Sequence, residues 1–319
     1  MMPAVPLSRL VLGTMTFGDT VDAATAERMV DVALDNGVTA IDTANGYAGG
    51  ASETILSGIL ATRRDRVHLA SKAGMPNADA GDNSPLSPAG LRASVDGSLG
   101  RLGVERLDLF YLHQPDRATP ITDTLATVAE LVAEGKIGSL GVSNFAAWQI
   151  AELNAAADAV GTARPVVAQQ LYNLVARRIE EEYFEFAETS GLTTMVYNPL
   201  GGGLLTGRHR FEEKPTGGRF GDSRLAAMYT ERYWDATLFE AIGALQEIAA
   251  GEGIPMTELA LRWLLGQERV GALLLGGSKV EHLEANIAVA ALGPLPAEVV
   301  AACDAVGAAL RGPMPAYNR

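Results

Sequence analysis

The sequence predicts one α/β domain over residues 1–319, a closed (β/α)₈ TIM barrel with a long loop after its seventh strand and a C-terminal helix and tail. Eight short runs rich in Val, Ile, Leu and Ala alternate with stretches whose apolar residues recur at the three-to-four spacing of one-sided helices. Strict strand and helix alternation makes the strands parallel, joined by helical crossovers. Eight such units in 319 residues suit a closed barrel. The competing open sheet would place G-x-G-x-x-G after an early strand, and none of the 35 glycines forms that turn.

The strands are read in chain order as "RLVLGT", "VTAIDTA", "RVHLASK", "LDLFYLH", "IGSLGVSN", "PVVAQQLYN", "TTMVYNPL" and "GALLLGG". Helices are expected over 24–36, 52–62, 88–101, 121–134, 146–158, 180–190, 236–250 and 281–291. Ser52 and Glu53 are read as the start of the second, and Ser87 followed by Pro88 puts a proline at the first helical position of the third. The connections 74–87 and 201–234 exceed the usual loop length, as binding segments and lids do. The last segment, 296–319, reads as a helix followed by "GPMPAYNR", whose prolines end it.

A formal net charge of −13 argues against nucleic acid phosphates or an anionic membrane face as partners and favours a soluble partner or a small molecule. A single cysteine, Cys303, and histidines scattered at 68, 113, 209 and 282 offer neither a disulfide framework nor a clustered metal site. Cys303 is expected in the core. With no signal-peptide pattern and no apolar run of about 18 residues, a cytoplasmic location is expected.

Polar residues at the C-terminal ends of barrel strands face the site. Here they are Asp42, Lys72, His113, Ser143, Asn144, Gln169 and Tyr197, with Tyr47 in the turn after the second strand. A phenol near its usual pKa of about 10 is a weak acid at neutral pH, but an adjacent ammonium favours its phenolate. Lys72 is expected to lower Tyr47 in this way, Asp42 to balance Lys72, and His113 to orient a carbonyl by a hydrogen bond. Together these are the parts needed to protonate a developing alkoxide.

The motifs "LGTMTFG", "IDTANGY", "SETILSGIL", "SKAG", "YLHQPD", "GKIGSLGVSNF", "QQLYN", "YNPLGGGLLTGR" and "GGSKVEHLEANI" make the chain resemble an aldo-keto reductase along nearly its whole length. "GGRFG", "MYTERYW", "GPLPAEVV" and "PAYNR" make it most similar to the aflatoxin-aldehyde and succinic-semialdehyde reductase branch. The resemblance implies a catalytic tetrad of Asp42, Tyr47, Lys72 and His113, with hydride passing from reduced nicotinamide to the carbonyl carbon while Tyr47 supplies the proton.

It further implies that Ser143, Asn144 and Gln169 bind the carboxamide and that Tyr197 stacks on the nicotinamide. Asn198, Pro199, Leu200, Gly202, Leu204, Gly207 and Arg208 would wrap the pyrophosphate. Arg219, Gly276, Ser278, Lys279, His282 and Asn286 would hold the adenosine end. Lys279 suits a 2′-phosphate, so NADPH/NADP+ is the expected cofactor. NADH remains the competitor because His282 and Ala285 depart from the branch pattern.

Tyr229, Arg232 and Arg319, with His113, match substrate positions for acidic carbonyls, and Gly46 implies a wide pocket beside Tyr47. Two alternatives stand beside aldehyde reduction: a tailoring reductase of a natural-product ketone or keto-sugar, and a cofactor-sensing subunit resembling potassium-channel β-subunits. A strand so near the first residue argues against the latter. The branch implies a homodimer.

Overall fold

The structure, a computed structural model, describes residues 7–313. Its strands β1 (Leu10–Gly13), β2 (Ala40–Asp42), β3 (His68–Ala73), β4 (Leu107–Leu112), β5 (Ile137–Ser143), β6 (Val167–Leu171), β7 (Thr193–Tyr197) and β8 (Ala272–Leu275) pair in chain order, and β8 closes on β1. Every pairing is parallel. All eight expected strands are therefore present in the expected architecture.

The strands read as near-continuous apolar runs because both faces are covered. Outward residues meet the helices in one large core, while Val11, Ala40, Ala70, Leu109, Tyr111, Val167, Met195 and Ala272 fill the barrel interior. Gly141 is required there, since a Cβ would come within 2.6 Å of the Tyr111 ring. Tyr111 pairs in register with Lys72 on β3 and Gly141 on β5, so it packs below the site end of the barrel.

The crossover helices are α1 (Ala23–Asp35), α2 (Ala51–Arg63), α3 (Pro88–Leu102), α4 (Ile121–Ala133), α5 (Ala147–Val160) and α6 (Tyr183–Thr189). After β7 come α7 (Ala226–Tyr233), α8 (Ala236–Gly251) and α9 (Met256–Leu265), and after β8 come α10 (Val280–Val289) and α11 (Ala297–Arg311). The α3 start has its proline in the first turn as expected, and the Ser87 side chain caps it by accepting from the Gly90 N–H.

Four features differ from the sequence reading, one being α9, which corresponds to none of the expected helices. Helix α2 begins at Ala51 after Gly50, a left-handed residue with φ of +95°, and Ser52 and Glu53 are buried against strand ends instead of capping the helix. The 180–190 segment opens with a 3-10 turn at Arg178–Glu180 and becomes α-helical only at Tyr183, because Glu182 is not helical. The 201–234 connection carries its own helix, α7, which buries Tyr229 and Tyr233 one turn apart. Cys303 is buried in α11, as expected.

Candidate active site

The ends of three strands, β2, β3 and β4, meet at one site. Asp42 is the last residue of β2, Lys72 the penultimate residue of β3, and His113 follows β4 directly. Tyr47 opens a 3-10 turn after β2 that is strained at Ala48, whose φ is +49°. Lys72 Nζ donates to the Asp42 carboxylate, to the Thr43 carbonyl at 2.8 Å and to the Tyr47 hydroxyl at 3.1 Å. All three ammonium protons are thereby used. The rings of Tyr47 and His113 meet edge to face with centroids 5.8 Å apart. The expected tetrad is brought together as one cluster.

Lys72 has no solvent exposure and Asp42 only 1%. A charge so placed persists only if paired and fully hydrogen-bonded. Burial alone would lower the Lys72 amine, but Asp42 and Tyr47 outweigh it and hold the amine above its ordinary range, as an ammonium. Gln169 Nε2 donates to the second Asp42 oxygen at 3.0 Å, so both oxygens are engaged.

The half-buried Tyr47 corrects one expectation. Burial raises its pKa and Asp42 adds to the rise; Lys72 opposes them, as expected, but does not prevail. The free phenol therefore keeps its proton across the neutral range. The ammonium is placed to stabilise the phenolate formed once that proton leaves.

His113 is 7% exposed, and burial followed by the Lys72 charge pushes its pKa down to about 3. It is a neutral imidazole whose buried Nδ1 has no protein partner. Unfolded, it titrates near the ordinary value of about 6.5. The folded form is thus favoured fully above pH 6.5, and this stabilisation is lost as pH falls from there towards about 3, where the unfolded chain binds the proton first. Thermal melts of His113→Asn from pH 7 to 4 are expected to show a shallower acid loss than wild type. Parallel curves would contradict the shift.

Around this cluster, Asn144 adopts φ of +61° and donates to the His113 carbonyl at 2.9 Å and to Ser143 Oγ at 3.1 Å. The Tyr197 hydroxyl, at the end of β7, donates to Asn144 Oδ1 at 2.6 Å. Burial raises Tyr197, and the exposed Arg232 on α7 opposes that rise. Tyr229 is buried beside them, stacked on Tyr233 at 6.3 Å, and contributes to raising both Tyr47 and Tyr197. The structure thus gathers Tyr47, Tyr197, Tyr229 and Arg232 at the mouth, while Arg319 lies outside the described residues.

The β7 exit forms a glycine-built concavity. Asn198, itself at φ of +62°, accepts from the Gly202 N–H at 2.7 Å and donates to the Tyr233 hydroxyl at 2.7 Å. Gly202 and Gly203 have φ of +71° and +109°, and a Cβ on Gly202 would lie 2.5 Å from Tyr229. Gly207 ends the turn at φ of +73°. Pro199 and Leu204 are buried under the turn and Leu200 is half-buried.

Arg208 is exposed beside this turn. The Arg219 guanidinium lies 5.3 Å from the centre of the Tyr229 ring and keeps a buried Nη1 without a partner. An unpaired cationic donor beside an open glycine backbone suits an anion such as a pyrophosphate.

Beyond β8, Gly276, Ser278, Lys279 and His282 are exposed and Asn286 is half-buried. Ser278 lines a surface cavity of about 410 Å³ with the 18–22 segment and Thr25. Its two sides are tied by Thr16 Oγ1 donating to the Gly277 carbonyl at 2.8 Å. Ser223 of the 201–234 connection donates to Asp19 at 3.0 Å and so crosses towards the same edge.

The sequence reading did not single out Thr43, Asn173 or Asp19. Thr43 acts through its carbonyl, and Asn173 donates to the Asn198 carbonyl at 2.9 Å, so no side-chain pattern signals the first and only the "QQLYN" motif marks the second.

The chain is similar to known proteins over most of its length. The aldo/keto reductase family profile matches residues 9–308. The chain is 39% identical to aflatoxin B1 aldehyde reductase member 2 of Homo sapiens over 93% of this chain and 86% of that protein. It is 40% identical to aldo-keto reductase family 7 member A3 of Homo sapiens over 91% of each. Aldo-keto reductase pigE of Monascus ruber is 32% identical over 87% of this chain and 85% of its own length.

Proposed function

Since the chain belongs to the aldo/keto reductase family, and is therefore an oxidoreductase acting on aldehydes or ketones with a nicotinamide cofactor, we propose that it uses NADPH and takes its proton from Tyr47. The observation that carries this reading is the Lys72 ammonium shared among Asp42, the Thr43 carbonyl and the Tyr47 hydroxyl beside a neutral His113. When bound, the reduced nicotinamide supplies hydride to the carbonyl carbon.

The residues of this chain do the rest. The neutral imidazole of His113 donates a hydrogen bond that orients the carbonyl oxygen. Tyr47 transfers its proton to that oxygen as negative charge develops. Lys72 stabilises the resulting phenolate, and Asp42, braced by Gln169, keeps Lys72 charged and in place.

For the cofactor, Ser143, Asn144 and Gln169 are assigned to the carboxamide, and Tyr197 to the ring. The backbone of residues 198–207 with Arg208 is assigned to the pyrophosphate, and Gly276, Ser278, Lys279, His282 and Asn286 to the adenosine end; Arg219, which the resemblance puts at the adenosine end, is assigned instead to the pyrophosphate because it lies against Tyr229 beside the glycine turn. The orphaned Arg219 donor and the open glycine turn support the pyrophosphate assignment. Exposed Lys279 supports a 2′-phosphate.

Aldehydes are favoured by the name of one relative, aflatoxin B1 aldehyde reductase member 2. Arg232 beside Tyr197 supports carboxylate-bearing ones. Gly46, with ordinary φ and ψ of −83° and −10°, is exposed and would meet nothing within 4 Å of a Cβ, which supports room for aromatic aldehydes beside Tyr47.

NADPH and NADH should be compared as reductants of succinic semialdehyde and 4-nitrobenzaldehyde, with binding of each cofactor titrated separately. NADPH is expected to bind at least about tenfold tighter, by roughly 1.4 kcal/mol or more, and both aldehydes to be reduced. Tighter NADH binding would overturn the cofactor choice, and reduction of neither aldehyde the substrate class.

A further inference from the structure

Glu53 has no solvent exposure, yet it is a carboxylate in the first turn of α2. One of its oxygens accepts from Ser71 Oγ at 2.6 Å and the other from Arg101 Nε at 2.8 Å. The remaining guanidinium nitrogens of Arg101 grip Asp79 of the 74–87 connection, both at 2.7 Å. Arg101 also lies against Gly50, where a Cβ would stand 3.0 Å from its Cδ. A Cβ on Gly97 would meet the Asp79 carboxylate at 2.6 Å. The packing is therefore built around this one arginine.

Its partners bear on the site. Ser71 and Lys72 are successive residues of β3, so they face opposite sides of the sheet. Holding Ser71 from outside fixes the pleat that aims Lys72 inward. Gly50 ends the turn that Tyr47 begins, and Glu53 stands three residues further on. Neighbouring Ser52 is equally buried, bonded to Thr14 Oγ1 at 2.9 Å, the Thr14 carbonyl at 3.0 Å and Thr43 Oγ1 at 3.0 Å. The turn carrying Tyr47 and the strand carrying Lys72 are thus joined on the outer side of the barrel by Glu53 and Arg101.

We propose that Glu53 and Arg101 are positioning residues that set the Lys72 to Tyr47 hydrogen bond, with Asp79 coupling the 74–87 connection to the same clamp. This rests on Tyr47 as the proton donor. Small displacements of reacting groups cost large factors in rate, about 100-fold for 1 Å. Loosening the clamp therefore acts on turnover more than on binding.

The test compares Ser71→Ala, Glu53→Gln, Arg101→Met and Arg101→Lys with wild type, alongside Tyr47→Phe. Ser71→Ala, Glu53→Gln and Arg101→Met are expected to lower kcat for 4-nitrobenzaldehyde about tenfold or more, with NADPH Kd within about twofold. They should also enlarge the solvent deuterium isotope effect on kcat. Arg101→Lys should recover part of the loss.

If Arg101→Met does not fold, Ser71→Ala decides, since it removes one hydroxyl and leaves the Glu53 to Arg101 pair. A folded Ser71→Ala with kcat within twofold of wild type and an unchanged isotope effect, beside an inactive Tyr47→Phe, would overturn the proposal alone. A Tyr47→Phe with wild-type turnover would overturn the underlying donor assignment instead.

Discussion

Tyr47→Phe is expected to lose a factor of about 10² to 10⁴ in kcat for aldehyde reduction while binding NADPH as wild type does, the range a positioned general acid contributes. The substitution removes one oxygen and keeps the ring that packs edge to face on His113. It also removes the acceptor of the 3.1 Å hydrogen bond from Lys72, leaving the ammonium its Asp42 and Thr43 partners. The fold should persist and the loss should fall on proton transfer. A thousandfold loss corresponds to about 4 kcal/mol of barrier. Because burial holds the Tyr47 pKa above its ordinary range, the donor is loaded throughout the neutral range, and wild-type turnover should show no loss between pH 6 and 8 from deprotonation of this residue.

Lys72→Met is expected to cost comparable turnover and also stability. The methionine side chain keeps most of the volume in a site without solvent exposure, but Asp42 would be left as an uncompensated buried charge. Breaking such a pair from one side costs about 3–5 kcal/mol. Burial already holds the folded Asp42 carboxyl above its unfolded value of about 3.9 against the opposing Lys72 ammonium, and removing that ammonium leaves burial less opposed and raises it further. A group shifted in that direction stabilises below the unfolded value and loses that contribution as pH rises towards the folded one. The variant should therefore melt lower at pH 8 than at pH 5. Adding Asp42→Asn should restore much of the melting temperature without restoring turnover. A Lys72→Met protein equally stable at both pH values would contradict the buried pair.

The strands were legible because a barrel buries both of their faces, so "LDLFYLH" and "GALLLGG" read as apolar runs with polar ends. Asp42, Lys72 and His113 were legible as a group for the same reason: they stand where those runs stop, with Tyr47 in the turn that follows the first of them. Helix α7 was harder to read, because in "AAMYTERY" only Tyr229 and Tyr233 are buried.

The role of Glu53 was hidden by its position. A carboxylate in a first helical turn ordinarily serves the helix dipole, and the partner that reassigns it, Arg101, lies 48 residues along the chain. The direction of the Tyr47 shift was equally beyond the sequence, which shows that an ammonium is available but not how deeply the phenol is buried. The Gln169 contact to Asp42 spans 127 residues and follows only from barrel closure.

Steady-state turnover mixes chemistry with product release, which limits many enzymes with closing loops. The direct measurement is therefore stopped-flow single-turnover oxidation of NADPH at saturating 4-nitrobenzaldehyde and pH 7, in wild type and in Tyr47→Phe. With Tyr47 as the proton donor, the chemical step in the variant slows by about 100-fold or more while the cofactor remains fully bound. An unchanged single-turnover rate in Tyr47→Phe would contradict proton donation from that phenol.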